Sequence, residues 1–409
     1  MRVVGEDAVT REFERLATGT PRVVTAGNFA TPMTLLGLVD GALPQYRLFA
    51  LNGQPGLPDR AGVIHETPFV GLGVRRSDRL EYIPARLSLV PQLFAQTHMP
   101  DVVLLHTTTP RDGRVSLGIE VNVLPAAVER ARQRGGLVVA QMNPRMPWTF
   151  GDAELSLDLV DLALEVDEPL QSPMPRPPSR LAEAIGARVA ALVPQGASLQ
   201  LGIGAVPDAV LESLRGHRGL RLWSEMFSDG VLALRDAGAL AESERLVASF
   251  LFGSPELYAW VHRNPRVWML RTEVTNDPGR IARQPAMTAI NSALEVDLFG
   301  QANASWAGGR IHSGFGGQSD FVVGALHAAG GSAVIALPAW HPKADKSTIV
   351  GVLDGPVTSF QHSWVVTEYG AAAIWPETST QQASNLIAVA HPRARAALKA
   401  EAQRRSLVR

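Results

Sequence analysis

The stretch Leu201-Gly202-Ile203-Gly204-Ala205-Val206-Pro207-Asp208-Ala209-Val210-Leu211 reads as the end of a β-strand, a glycine turn and the start of a helix. A proline early in the helix is harmless because the first N–H groups have no intrahelical partner. Those free N–H groups and the helix dipole favour an anion, and two glycines let a ligand approach the backbone closely. The stretch is not a dinucleotide fingerprint: Pro207 stands where the third glycine belongs, and no strand-end acid follows at the expected distance. That spacing argues against a nicotinamide-dependent oxidoreductase. An ordinary βα turn without ligand has the same pattern, so the stretch decides the fold class before it decides a function.

Outward from this turn, short apolar runs alternate with helical patterns, which predicts α/β layers. Strands are expected at 22–28, 46–53, 101–107 and 136–143, then at 198–204, 220–225, 245–253 and 331–338. Helices are expected at 31–43, 122–134, 206–216, 254–263, 321–329 and across 380–407. Gln171–Arg180 carries four prolines in ten residues and cannot be helix or central strand. It divides the chain into an N-terminal domain (1–172), a linker (173–180) and a C-terminal domain (181–409). Gly27-x4-Pro32-x2-Leu35-Leu36 repeats the spacing of Gly202-x4-Pro207-x2-Val210-Leu211. The echo is either a coincidence between two βα turns or the trace of two related α/β halves with a site in the cleft between them.

Composition narrows the chemistry. The 409 residues carry 38 Lys+Arg against 39 Asp+Glu, which leaves no electrostatic footprint for nucleic acid or an anionic membrane. There is no cysteine, so disulfides, thiol nucleophiles, zinc–thiolate sites and iron–sulfur clusters are excluded. No apolar run approaches the ~18 residues of a membrane helix, and acidic residues occupy the N-terminal stretch where a signal peptide would be apolar. The expectation is a cytoplasmic soluble protein. Histidines are scattered without metal-ligand spacing, and neither a Gly-x-Ser-x-Gly elbow nor a Walker A sequence occurs.

Two further segments carry chemistry. Ser313-Gly314-Phe315-Gly316-Gly317-Gln318-Ser319-Asp320-Phe321 places small residues before an apolar helix, where exposed amides can form an oxyanion hole. A plain loop fits the same residues. Trp223-Ser224-Glu225-Met226 puts Glu225 at the C-terminal end of a predicted strand, the edge where open α/β sheets place ligands. Aromatic neighbours would desolvate that carboxylate and make it a nucleophile, though alone it also reads as an exposed loop glutamate. His312, beside the glycine cluster, reads as structural.

Together these segments resemble the acetyl-CoA hydrolase/transferase family, in its 4-hydroxybutyrate CoA-transferase-like branch. The resemblance rests on 199–214, 223–231, 289–305, 313–325 and 365–374, and in the first half on 115–122 and 141–152. It implies two related α/β domains with acyl-CoA bound between them, and a homodimer. It implies Glu225 as nucleophile, Asn276 lining the active site and Gly317 as the oxyanion donor. Gly202, Ile203, Gly204, Ala205 and Val206 match the CoA loop, and Ser313 falls at a CoA-contacting position. Lys343 or Lys346 would meet a CoA phosphate or else face solvent, and Glu368 reads as supporting architecture. The implied activity moves CoA from an acyl-CoA to a small carboxylic acid, with no metal and no tightly bound cofactor. A hydrolase using the same glutamate, or an idle CoA-binding paralogue, fits the same residues. The chain departs from the family at Ala302–Trp306, at His341–Lys346 and at Ile374-Trp375-Pro376. Trp223, Phe227, Trp306 and Trp375 are either walls of an unusual acyl pocket or core.

Overall fold

Strands buried on both faces of a parallel sheet are written as unbroken apolar runs, and Val102–Thr107, with all six residues buried, is the clearest case. A computed structural model describes residues 1–173 and 179–408. Most of the expected 173–180 linker therefore lies outside the described residues. The chain forms two compact units. One comprises Met1–Pro173 with Arg245–Thr275, and the other holds the residues up to Glu244 and from Asn276 onward.

The first unit is built on strands β1 (Arg2–Val3), β2 (Arg22–Thr25), β3 (Tyr46–Ala50), β4 (Val63–Thr67), β5 (Leu80–Tyr82), β6 (Val102–Thr107), β7 (Leu137–Met142) and β8 (Leu162–Glu165). They pair in the order β1-β8-β7-β6-β2-β3-β4-β5, every pair parallel. Parallel neighbours need crossovers, and the helices Met33–Ala42 and Leu124–Arg134 supply them after β2 and before β7. The second helix ends as expected, with Arg132 and Arg134 in its last turn and Gly135 in the left-handed conformation beyond it.

The second unit carries β9 (Ser198–Leu201), β10 (Arg221–Trp223), β11 (Thr288–Asn291), β12 (Ser332–Ala336), β13 (Trp364–Thr367) and β14 (Gly370–Ala373). The order is β14-β13-β12-β11-β9-β10, parallel except for the β13–β14 hairpin. In both units the strand that leads into the glycine turn has its successor on one side and later strands in chain order on the other: β6, β7 and β8 beside β2, and β11, β12, β13 and β14 beside β9. That shared topology supports the expectation of related halves.

One boundary differs from the sequence expectation, which placed all of 181–409 in the second domain. Arg245–Thr275 belongs with the first unit because its backbone is zipped to 119–122 and 150–151. Leu251 N donates to Ile119 O at 2.8 Å, Val121 N to Ser249 O at 2.9 Å and Thr272 N to Asn122 O at 3.0 Å. The strand Val267–Met269 pairs with Phe150–Gly151 as well.

Candidate active site

The strand order of the second unit reverses at β9, and the carboxyl edge beside such a reversal is where open α/β sheets hold ligands. The 202–206 turn leaves that edge from β9, and Glu225 leaves it from the adjacent β10. Ser224, fully buried, ties the two together: its hydroxyl lies 3.4 Å from Leu201 N and 3.5 Å from Leu201 O. The same hydroxyl accepts from Met226 N at 3.3 Å, which fixes the backbone on both sides of Glu225.

Three expected residues meet here. Asn276 is fully buried, and its Nδ2 donates to Glu225 Oε2 at 3.3 Å. The Gly317 N–H bonds to the same carboxylate. A Cβ built on Gly317 would stand 2.0 Å from Glu225 Oε2 and 2.3 Å from Asn276 Nδ2, so only glycine fits. The nucleophile candidate is held by neutral donors and faces no cation among the described residues. Burial pushes its carboxyl up to about 7, and the charge of Asp320 acts the same way, while the Asn276 and Gly317 bonds act against both. Asp320, completely buried in the first turn of the Gln318–His327 helix, was not singled out from the sequence, although it stands in the glycine segment quoted for Gly317. Three other glutamates are engaged elsewhere. Glu273 pairs with Arg271 at 2.8 Å, Glu295 with Lys346 at 2.5 Å, and Glu368 accepts from Ala339 N at 2.8 Å.

The 202–206 turn has the geometry its sequence suggests. Gly204 caps the Ala205–Ser213 helix at φ +127°, with open space where a side chain would point. Ile203 is 44% exposed. An apolar side chain and bare backbone amides together at a helix start suit a ligand with an anionic group and an apolar portion. Ser313 Oγ donates to Ala304 O at 2.7 Å, which leaves its lone pairs as acceptors. Lys343 sits in the exposed turn of the hairpin Trp340–His341/Lys346–Ser347 and has no hydrogen-bond or ion-pair partner among the described residues. The four aromatic residues take separate environments: Phe227 is core, Trp223 packs on the Met287–Phe321 cluster, Trp306 is half-buried and Trp375 is 55% exposed. They do not form one acyl-pocket wall.

The first unit holds a buried carboxylate at its own glycine turn that sequence reasoning missed. Glu120 accepts from Gly27 N at 3.3 Å, Asn28 N at 3.1 Å, Asn28 Nδ2 at 2.8 Å and Asn122 Nδ2 at 3.1 Å. The turn after β2, the counterpart of the 202–206 turn, is thus filled by the chain's own carboxylate. Among the described residues there is no cluster of His, Asp and Glu able to hold a metal ion, and no helix long and apolar enough to cross a membrane.

Comparisons with known proteins show the family. The family model for the acetyl-CoA hydrolase/transferase N-terminal domain matches residues 60–172, and that for the C-terminal domain matches 253–402. The 4-hydroxybutyrate coenzyme A transferase of Clostridium kluyveri is 37% identical over 83% of this chain and 82% of its own. The succinyl-CoA:acetate/propanoyl-CoA:succinate CoA transferase of Fasciola hepatica is 36% identical over 91% of this chain and 82% of its own. An acetyl-CoA hydrolase of Saccharomyces cerevisiae matches at 34% identity over only 30% of this chain and 24% of its own. Among solved structures, RipA from Yersinia pestis superposes with a TM-score of 0.91 at 26% identity, covering 99% of this chain and 98% of its own.

Proposed function

We propose, on the premise that this chain belongs to the acetyl-CoA hydrolase/transferase family, that it moves CoA from an acyl-CoA to a small carboxylic acid through a thioester on Glu225. The observation that carries the reading is the environment of Glu225: a crowded carboxylate, with no cation partner among the described residues, between the Asn276 amide and the Gly317 N–H.

In the first step a Glu225 oxygen attacks the thioester carbonyl. The C–S bond breaks, CoA leaves as thiolate, and a mixed acyl–glutamyl anhydride remains. The thiolate then attacks the glutamyl carbonyl, the anhydride C–O bond breaks, and the donor's carboxylate departs, leaving glutamyl-CoA. The acceptor carboxylate repeats both steps in reverse and leaves as the new acyl-CoA, with Glu225 restored as carboxylate. No net proton is consumed, and the covalent intermediates conserve the thioester free energy without a tightly bound cofactor. The Gly317 N–H, which holds the carboxylate at rest, becomes the donor to the thioester oxyanion once Glu225 has moved onto the carbonyl. Asn276 keeps Glu225 aligned during that movement.

The amides of Ile203–Val206 receive a CoA phosphate at the helix start, with the Gly202 N–H bonded to Ile290 O at 3.2 Å; Ser313 accepts from the CoA arm, and Lys343 supplies a cation for a phosphate. The relatives called transferases align over most of the chain and the hydrolase over less than a third, which favours a carboxylate over water as acceptor. The working form is taken as a cytoplasmic homodimer.

The experiment is intact-mass analysis after incubation with acetyl-, propionyl- or butyryl-CoA. A CoA adduct mapping to Glu225 supports the covalent reading, and its absence with every donor overturns it. Adding a carboxylate acceptor then separates transfer from hydrolysis.

A further inference from the structure

The Gly314–Gly317 loop has three glycines in four residues, with Gly316 at φ +54°, so it has few side chains of its own to hold it in place. It must be held from its ends. At the start, His312 N and Ser313 N donate to Ser305 O at 2.7 and 3.2 Å, and Ser313 Oγ donates to Ala304 O. At the far end, Gln318 Nε2 donates to Ser359 Oγ at 2.8 Å, and Ser359 Oγ lies 2.8 Å from His362 Nε2.

Both anchors belong to one hydrogen-bonded block. Ala302 N donates to Ser359 O at 2.9 Å, Thr358 N to Ala302 O at 2.8 Å, and Ala304 N to Thr358 Oγ1 at 2.9 Å. The family departure at Ala302–Trp306 falls inside this block. His362 is completely buried, and burial drives its ring down to about 4, so it is neutral and can accept. In the tautomer with the His362 proton on Nδ1, the Ser359 hydroxyl accepts from the Gln318 amide and donates to His362 Nε2. The chain His362–Ser359–Gln318 therefore has one polarity and ends one residue from Gly317.

We infer that Ser359 and His362 are positioning residues for the reaction, setting the direction of the Gly317 N–H through the side chain of Gln318. The inference rests on the covalent reading above. Without the brace the loop keeps its path but loses the alignment of its last peptide, which costs rate in the chemical step rather than affinity for CoA.

The test compares Gln318→Leu and Ser359→Ala with wild type, using the acyl-CoA donor that labels wild-type Glu225. Gln318 is half-buried, so its variant keeps the measurement available should Ser359→Ala fail to fold. The expected result is about a tenfold loss of kcat per adduct-forming site, with KM for acyl-CoA within twofold. The double variant should be no slower than the worse single one, since both cut one chain of bonds. Wild-type kcat in Gln318→Leu, or a loss that only tracks the fraction of labelled protein, overturns the brace and leaves the covalent reading standing. Failure of wild type itself to form an adduct overturns both.

Discussion

A methyl group on residue 317 would collide with the Glu225 carboxylate, since the Cβ position lies 2.0 Å from Oε2. Gly317→Ala must therefore displace Glu225 or the loop that carries residue 317. A displacement of ~1 Å at a reacting atom can cost ~100-fold. The expected outcome is a loss of that order in adduct formation, with the far-UV spectrum and melting temperature close to wild type. Adduct formation at the wild-type rate would show that Gly317 is not packed against the nucleophile in the working enzyme.

The raised carboxyl of Glu225 has two consequences with opposite appearances. Attack needs the ionised form, so activity should rise with pH through an inflection near 7. Stability runs the other way. The folded protein binds the proton more tightly than the unfolded chain, where the ordinary value is 4.5. Stability is then lost as pH climbs from about 4.5 to about 7. Glu225→Gln removes the ionisation. It should melt above wild type at pH 8 by an amount corresponding to about 3 kcal/mol at most, and the gap should close near pH 4.5. Thermal melts across this range check it, and a pH-independent gap would argue against an ionisable Glu225.

Asn276 lowers the Glu225 value through its amide. Asn276→Leu should move the inflection of the pH–rate profile to higher pH, so activity falls most at pH 6 and partly returns at pH 9. A uniform loss across the profile would mean that Asn276 orients Glu225 without tuning its ionisation.

At Gly204 the space is open, but φ is +127°, a conformation that side chains other than hydrogen resist. Gly204→Val should rebuild the turn locally, at a cost of ~1–3 kcal/mol in stability. It should raise KM for acyl-CoA at least tenfold while kcat changes less. Retention of wild-type KM would remove the 202–206 turn from the CoA site.

Legibility in the sequence followed local pattern and failed where tertiary partners decide. The four apolar strands β2, β3, β6 and β7 stand out because both their faces are covered. Strand β4, Val63–Thr67, hides because His65 and Glu66 are polar, yet both are 2% exposed and Glu66 is neutralised by Arg22 and Arg47 at 2.6 Å. The helix Arg180–Ala190 was obscured by the prolines before it, although Ser179 caps it by accepting from Ala182 N. Strand β14, Gly370–Ala373, has no β-branched residue and exists through its hairpin with β13. At the site, Glu225 and the glycine segment holding Gly317 stood out locally, but Asn276 and the joining of all three came through a family resemblance, because no local pattern joins residues so far apart in the chain. Ser224 and Asp320 lay inside the quoted segments but carry no signal of their own. The Gln318–Ser359 bond spans 41 residues and had none at all.

The nucleophile itself is tested most directly by separating Glu225→Gln from Glu225→Asp. Glutamine keeps the shape but is a very poor nucleophile, so transfer should fall to background with no CoA adduct. Aspartate keeps the carboxylate and withdraws it by one methylene, away from Asn276 and the Gly317 N–H. That shift should cost about 100-fold in attack. The shorter side chain also leaves room for water beside the aspartyl anhydride, so the product ratio should move from acyl transfer toward hydrolysis. Wild type treated with acyl-CoA and then borohydride should lose activity through reduction of the glutamyl thioester, and Glu225→Gln should show no reduced product. Product analysis with a labelled carboxylate acceptor measures the transfer-to-hydrolysis ratio for each variant. Should Glu225→Gln turn over like wild type, the nucleophile lies elsewhere. Glu120, a buried glutamate whose carboxyl is also raised by burial, would then be the first residue to replace.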